Sequence, residues 1–295
     1  LADMAGVPKD EPLWEEFLDQ LTLDEQVELF TKGGWQTAEV ERLGIPVAKF
    51  LDGPAGLNYF FGSFDAAAYP TEVVIAATWN TQLARDVGEA VGQEAAAYGV
   101  QGWYAPGMNL HRTAMGGRNF EYFSEDPLLS GTMGAGMIAG AQDQGITVFM
   151  KHFVLNDQEI NARSGVNVWV DEQALRELYL RPFEIAVKEG HAHGAMTSFI
   201  HLGPRWAGGH DLLLTEVLRG EWGFDGLVTT DAVLGGFMDP EQAARAGNDI
   251  MLSTVLPGAE KNLRSALEDD PVGLGWALRE RVHQILFTVA NSSAV

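Results

Sequence analysis

Apolar positions along this chain fall into two successive rhythms. From Trp14 to Phe30 they come near helical spacing, at Trp14, Phe17, Leu18, Leu21, Leu23, Val27 and Phe30, and predict helical structure there. Thr22 followed three residues later by Glu25 has the form of a capping box, so a fresh helix is expected to start at that point. After about residue 45 the rhythm changes to short β-rich runs. These are Val47–Leu51, Val73–Ala77, Gly102–Ala105, Thr147–Phe153, Ala195–Phe199, Gly226–Thr230 and Asp249–Leu252. Helix-patterned stretches lie between them, at Gln82–Tyr98, Leu129–Gln144, Asp171–Glu189, Leu212–Trp222 and Glu241–Ala246, with a tail helix near Leu274–Ala290.

Strands alternating with helices, and buried on both faces, predict a parallel sheet of α/β type. The number and spacing of these units suit a (β/α)8 TIM-like barrel, irregular or incomplete, which takes about 250 residues. A doubly wound sheet competes, but no glycine-rich phosphate turn follows the first run, and Gly116-Gly117 lacks the required spacing. The expected organisation is a single barrel domain over 1–295. Helices occupy about 1–30, the barrel core 45–255, and closing helices 256–295.

Polar or ionisable residues appear as the apolar runs end. Asp52 follows the first run, Lys151 and His152 follow Val148–Met150, Ser198 and Phe199 close the next, and Asp231 ends Leu227–Thr230. In an α/β barrel the carboxyl ends of the strands carry the chemistry, because the loops there are free to vary. A buried charge is costly unless paired, so several at strand ends point to one shared polar pocket. Each taken alone could equally cap a helix or pair locally. Asp231 stands out because Gly223 and Gly226 lead the chain tightly into a strand that ends on a lone carboxylate. A carboxylate on a rigid strand end can be aimed at one carbon atom, as a nucleophile requires, although acid–base and metal-binding roles share this pattern.

Several segments resemble glycoside hydrolase family 3, in the family's own order over roughly residues 20 to 255. They are Gly117-Arg118-Asn119-Phe120-Glu121-Tyr122-Phe123-Ser124-Glu125-Asp126-Pro127, Lys151-His152-Phe153 with Asn156 and Glu159, and Leu175-Arg176-Glu177 with Tyr179-Leu180. Asp52-Gly53-Pro54 and the stretch Gly220-Glu221-Trp222-Gly223-Phe224 running to Asp231 belong with them. The resemblance implies a retaining β-glycoside hydrolase, β-glucosidase-like, that releases a non-reducing terminal sugar from a β-linked oligosaccharide or glycoside. It implies Asp231 as nucleophile, and Asp52, Arg118, Lys151 and His152 as holders of the sugar's hydroxyls, with Trp79, Trp103, Phe120 and Phe199 as candidate apolar walls. No cofactor and no metal is expected.

Three positions depart from the family pattern. Ala232 stands where a large aromatic often follows the nucleophile, Asn58 stands where an Arg is usual, and Phe199-Ile200 replaces Tyr-Asn. Lys151-His152-Phe153-Val154-Leu155 also differs from the Lys-His-Phe-Pro-Gly loop of the amino-sugar branch. A retaining glycosidase needs a second carboxyl about 5–5.5 Å from the first. In multi-domain members it comes from an α/β-sandwich domain, which these 295 residues lack. The acid/base is therefore expected outside the chain, upstream, downstream or on another chain. Glu121, Glu125, Glu159 and Glu172 are the substitutes within it, and Glu121 and Glu125 are better read as supports for Arg118.

Composition narrows the alternatives. Nineteen basic residues against 41 acidic ones give a net charge of −22, which disfavours nucleic acid and anionic membrane surfaces as partners. No apolar run reaches the roughly 20 residues of a membrane span, so a soluble cytoplasmic or secreted bacterial enzyme is expected. There is no cysteine, hence no disulfide or thiolate site. The chain begins at Leu1, which suggests that it derives from a longer one. His191 and His193 have no helical i, i+4 spacing and read as loop residues rather than metal ligands. The competing functional readings are a non-catalytic or truncated carbohydrate-binding barrel, and an aldolase using Lys151 as a Schiff base.

Overall fold

The computed structural model describes residues 1–62, 64–160, 163, 165–253 and 258–295. Six strands form its main sheet: β1 (Phe50–Asp52), β2 (Gly102–Tyr104), β3 (Thr147–Phe153), β4 (Gly194–Thr197), β5 (Leu227–Ala232) and β6 (Ile250–Leu252). They lie side by side in chain order and every pairing is parallel. Helices return the chain between them, as parallel pairing requires. After α1 (Leu13–Leu18) and α2 (Leu23–Thr31), these are α3 (Thr81–Ala97), α4 (Pro127–Gln142), α5 (Arg181–Lys188), α6 (Leu212–Glu221) and α7 (Pro240–Ala246). Two more, α8 (Ala259–Asp269) and α9 (Gly273–Ala290), complete the chain.

The sheet curls into an incomplete (β/α) barrel, with six parallel strands among the described residues rather than eight. One irregular piece of chain joins its two edges. Gly33 bridges to Leu252 of β6 in parallel, while Gln36 bridges to Lys49, beside β1, in the antiparallel sense. Hydrogen bonds from Phe50 N to Trp35 O (2.8 Å) and from Thr37 N to Ala48 O (2.9 Å) fix this piece against β1.

Two expected elements differ. Val73–Ala77 is not a strand; a short helix spans Glu72–Ala76. Its buried positions are Glu72, Ile75 and Ala76, with Val74 exposed, so a one-sided helical pattern overrides the β-branched composition. The stretch Asp171–Glu189 is not one helix. It breaks into Glu172–Ala174, a wide-turned piece Leu175–Tyr179, and α5, whose first turn carries Pro182. Proline has no N–H for the preceding turn and suits a helix start. The Thr22–Glu25 capping box is present, with Glu25 N donating to Thr22 Oγ1 and Thr22 N to Glu25 Oε2. The expected boundary at 255, between core and closing helices, falls outside the described residues.

Period-two alternation decides what enters the barrel. Phe50, Tyr104, Phe149, Met196, Leu227 and Ile250 share one core cluster, and Leu51, Trp103, Val148, Ala195 and Val228 belong to the other, beneath the helices. Inside, Phe149 sits 5.2 Å from Phe50 and 5.1 Å from Tyr104, centroid to centroid. Space for these rings comes from Gly102 and Gly194, where an added Cβ would approach Phe149 to 2.9 and 2.8 Å.

The floor of the barrel is pinned by Asp249, just ahead of β6 and fully buried. Its Oδ2 accepts from Arg219 Nη2 and Val228 N, both at 2.7 Å, and its Oδ1 from Arg281 Nη1 at 3.1 Å. One carboxylate thus ties α6, β5 and α9 together, far from the carboxyl ends of the strands.

Candidate active site

Following the inward phase of β1, β3 and β5 to their carboxyl ends leads to ionisable groups. Phe50 is followed two residues on by Asp52, Phe149 by Lys151, and Leu227, after four residues, by Asp231. His152 breaks the alternation. The ladder between β3 and β4 shifts register between Lys151 and Phe153, which lets two consecutive side chains reach the same cavity. Asn109 holds the irregular backbone there: His152 N donates to its Oδ1 (2.8 Å), and its Nδ2 donates to His152 O (3.0 Å).

These residues share a cavity of about 240 Å³. Asp52, Arg118, Lys151, His152, Arg163 and Asp231 form its polar lining. A larger hollow of about 900 Å³ lies between α2 and α8, but its Arg264 is already bound to Glu260 and Asp24, and it shares no lining residue with this cavity. Lys151 Nζ donates to Asp52 Oδ1 at 2.6 Å. Arg118 comes from the loop after β2, where it pairs with Glu121 and donates from Nη1 to Glu159 Oε1 at 3.1 Å. Glu159 is held in turn by Asn156 Nδ2 (2.7 Å) and Arg163 Nε (2.6 Å). Arg118 is thus supported by Glu121 and Glu159, whereas Glu125, the other expected support, is exposed.

Asp231 is placed differently from Asp52. Its Oδ1 accepts from Ala232 N at 2.7 Å, and its buried Oδ2 has no hydrogen-bond partner among the described residues. His152 Nε2 is the nearest basic nitrogen at 3.6 Å, beyond hydrogen-bonding distance. Burial pushes the Asp231 carboxyl up to about 6, against the opposing pull of Arg118, the Ala232 N–H, Lys151 and Arg163. Burial also moves His152 well below its ordinary value, helped by the charges of Arg118, Lys151 and Arg163. A neutral imidazole therefore faces Asp231. At Asp52 burial pushes upward too, but the Lys151 charge and hydrogen bond, the Gly53 N–H and Arg118 outweigh it, and the group stays below its usual value. Two strand-end aspartates thus have opposite characters. One is committed to a lysine, and the other keeps an oxygen free.

Of the residues singled out from the sequence, Asp52, Arg118, Lys151, His152 and Asp231 converge on this cavity, whereas Trp79, Trp103 and Phe120 do not line it. Phe199 is fully buried and does not line it; its ring lies under the Arg163 guanidinium at 5.2 Å. Residues not anticipated complete the wall, namely Trp35, Phe60, Tyr104, Met196, Leu234 and Leu252. Tyr104 and Met196 follow from strand phase. Trp35, Phe60 and Leu234 sit in irregular segments, where no periodicity marks them.

An α/β barrel carrying an unpaired carboxylate among cationic side chains at its strand ends has the form of a carbohydrate-processing site. The description "Glycosyl hydrolase family 3 N terminal domain" matches residues 17–268. The chain belongs to glycosyl hydrolase family 3, as an N-terminal domain. It is 41% identical over 239 residues to Beta-glucosidase B of Emericella nidulans, covering 80% of this chain and 28% of that protein. A beta-glucosidase of Rhizobium radiobacter is also 41% identical, over 221 residues, covering 74% and 27% respectively. Among solved structures, beta-glucosidase 3B from Thermotoga neapolitana in complex with alpha-D-glucose superposes with a TM-score of 0.87 at 37% identity. That match covers 95% of this chain and 43% of the other. The chain thus spans under a third of these two curated relatives.

Proposed function

We propose that this chain is the sugar-binding and nucleophile-bearing part of a retaining β-glucosidase, forming one barrel domain over 1–295. The observation that carries the reading is the unpartnered Oδ2 of Asp231, buried in the same cavity as Asp52, Arg118, Lys151 and His152. Those four groups offer charged or directional hydrogen bonds to adjacent sugar hydroxyls, including contacts that strengthen as positive charge develops on the ring. Asp231 attacks the anomeric carbon, the bond from that carbon to the glycosidic oxygen breaks, and its electron pair leaves with the oxygen. Water then attacks the anomeric carbon and gives its proton to the base left by the first step. The bond to Asp231 breaks with its electron pair returning to the carboxylate, and the sugar is freed with retained configuration.

The departing oxygen needs a proton. Asp52 and Asp231 are the carboxyl groups lining the cavity among the described residues, and Asp52 is bound to Lys151. Glu121 and Glu159 are engaged with Arg118, Glu172 pairs with Arg176 on the surface, and Glu125 is exposed. We therefore assign the acid/base to the part of the parent protein that this chain does not cover. Among the described residues no helix is long and apolar enough to cross a membrane. The acidic chain fits an enzyme working in solution, in the cytoplasm or outside a bacterial cell.

The test is trapping with a 2-deoxy-2-fluoro-β-glucoside carrying a dinitrophenyl leaving group, followed by peptide mapping. Such a leaving group needs little protonation, so the missing acid does not block it. A label on Asp231 is expected, and a label elsewhere overturns the assignment. The same cavity in a purely sugar-binding barrel would bind glucose and take no label.

A further inference from the structure

A second cavity, of about 220 Å³, brings an exposed aromatic together with polar side chains and shares no lining residue with the first. The chain that follows β3 runs between the two. Asn156 and Glu159 turn toward the first: Asn156 Nδ2 donates to Tyr122 Oη at 3.1 Å, and Glu159 Oε1 accepts from Arg118 Nη1 at 3.1 Å. Asp157 and Gln158 line the second instead.

Trp169 forms one wall of this second cavity. It follows the two-residue strand Asn167–Val168, which pairs in parallel with His201–Leu202, and Gly203 N donates to Val168 O at 2.8 Å just ahead of it. A Cβ added at Gly203 would come within 3.5 Å of the indole's six-membered ring, so this glycine seats part of Trp169 against backbone. The rest is open. At 77%, Trp169 is the most exposed of the large apolar side chains among the described residues. An indole left in water forgoes a large burial gain, which a flat ligand recovers. The polar groups beside it are ready to bind. Arg112 lies over the Tyr179 ring at 5.3 Å and pairs with no carboxylate among the described residues. Asp157 Oδ1 accepts from Leu110 N at 3.0 Å. Burial raises its carboxyl to about 7, against the pull of that N–H and of Arg112, so near neutral pH the group can both donate and accept. Gln158 donates from Nε2 to Ile160 O at 3.3 Å and keeps its side-chain oxygen to offer.

We infer that this cavity is a second carbohydrate-binding site, which seats a glucosyl unit of a β-linked oligosaccharide on Trp169 with Arg112, Asp157 and Gln158 at its hydroxyls. The choice of sugar rests on the glycosidase reading above, whereas the site uses none of the residues of that reaction. A sugar ring has a C–H face to cover the indole and neighbouring hydroxyls to take directional bonds from both donors and acceptors. A wholly apolar ligand would leave Arg112 and Asp157 desolvated without partners, which is costly. An anion would meet Asp157 and a chain of net charge −22. The site holds oligosaccharide beside the carboxyl end of β3 and raises its local concentration there.

Fluorine NMR of the chain labelled with 5-fluorotryptophan tests this, because Trp35 lines the first cavity and Trp169 the second. Each resonance is assigned by substituting that tryptophan with Phe. Cellotetraose is expected to shift the Trp169 signal saturably, at millimolar concentration or below. Arg112→Gln, at an exposed position, is expected to raise the midpoint of that shift at least about fivefold, the scale of one lost hydrogen bond. The Trp35 midpoint should stay within about twofold in the same variant. If Trp35 responds while Trp169 does not, or if Arg112→Gln leaves the Trp169 midpoint unchanged, the second site is wrong and the glycosidase reading stands. A responding Trp169 beside a silent Trp35 would keep the second site and sink the glycosidase reading. If neither signal moves, both fail.

Discussion

Replacing Asp231 by Asn removes a charge that the fold holds at a cost, and the cost can be worked from its surroundings. Burial raises the carboxyl from its ordinary 3.8 to about 6, even after the attraction of Arg118 and Lys151 is counted. A raised value means that the folded state prefers the neutral acid. Below pH 3.8 the group is protonated in folded and unfolded chains alike, and it costs nothing. As pH rises through 6 it ionises in the fold, and the penalty saturates at roughly 3 kcal/mol, from about two units at about 1.4 kcal/mol each. Asn has nearly the same shape and no charge, so Asp231→Asn should stabilise the chain by about that amount at pH 7.5. With an unfolding entropy of about 2.1 cal/mol/K per residue, that is a rise in Tm of roughly 5 °C. Thermal melts of both proteins at pH 7.5 and pH 4 are the assay. The gain should shrink sharply at the lower pH, while glycosyl-enzyme formation is lost at both. A variant no more stable than the parent at pH 7.5, or equally stabilised at the two pH values, would refute the claim that this site trades stability for a free carboxylate.

The Lys151–Asp52 pair should behave in the opposite sense. Lys151→Met leaves the Asp52 carboxylate without its main partner and should weaken glucose binding at least tenfold in calorimetry, the loss of about one charged hydrogen bond. Because Asp52 is held below 3.8 in the fold, the accompanying loss of thermal stability should be full at pH 7 and fade as pH falls below that value. At the barrel floor, Asp249→Ala strands two arginines and the Val228 N–H, and should cost about 3–5 kcal/mol in urea melts. A cost under 1 kcal/mol would show that the three elements are held by packing alone.

How much of this was legible depends on which force placed each residue. Most of the helices and all six strands of the main sheet follow from apolar periodicity, because burial against a sheet or a helix layer imposes its own spacing on the sequence. Where two preferences conflict, the weaker signal misleads. Val73, Val74 and Ile75 have β-branched chemistry, yet the one-sided burial of Glu72, Ile75 and Ala76 makes their segment helical. Strand phase places Asp52, Lys151 and Asp231 inside the barrel without any knowledge of loops, since each lies an even number of residues from an inward Phe or Leu. Phe199 lies outside that rule and outside the cavity lining: beyond Thr197 the strand has ended, and phase carries no information there. His152 is the instructive exception. Alternation alone turns it outward, and only the register shift in β3, with Asn109 bracing the backbone, brings it in. Arg118, Trp35 and Phe60 reach the cavity from loops, where position is set by tertiary contacts between segments distant in sequence. For Arg118 the resemblance supplied what periodicity could not. For Trp35 and Phe60 nothing in the chain's local pattern did, because only the folded arrangement brings their segments to the cavity.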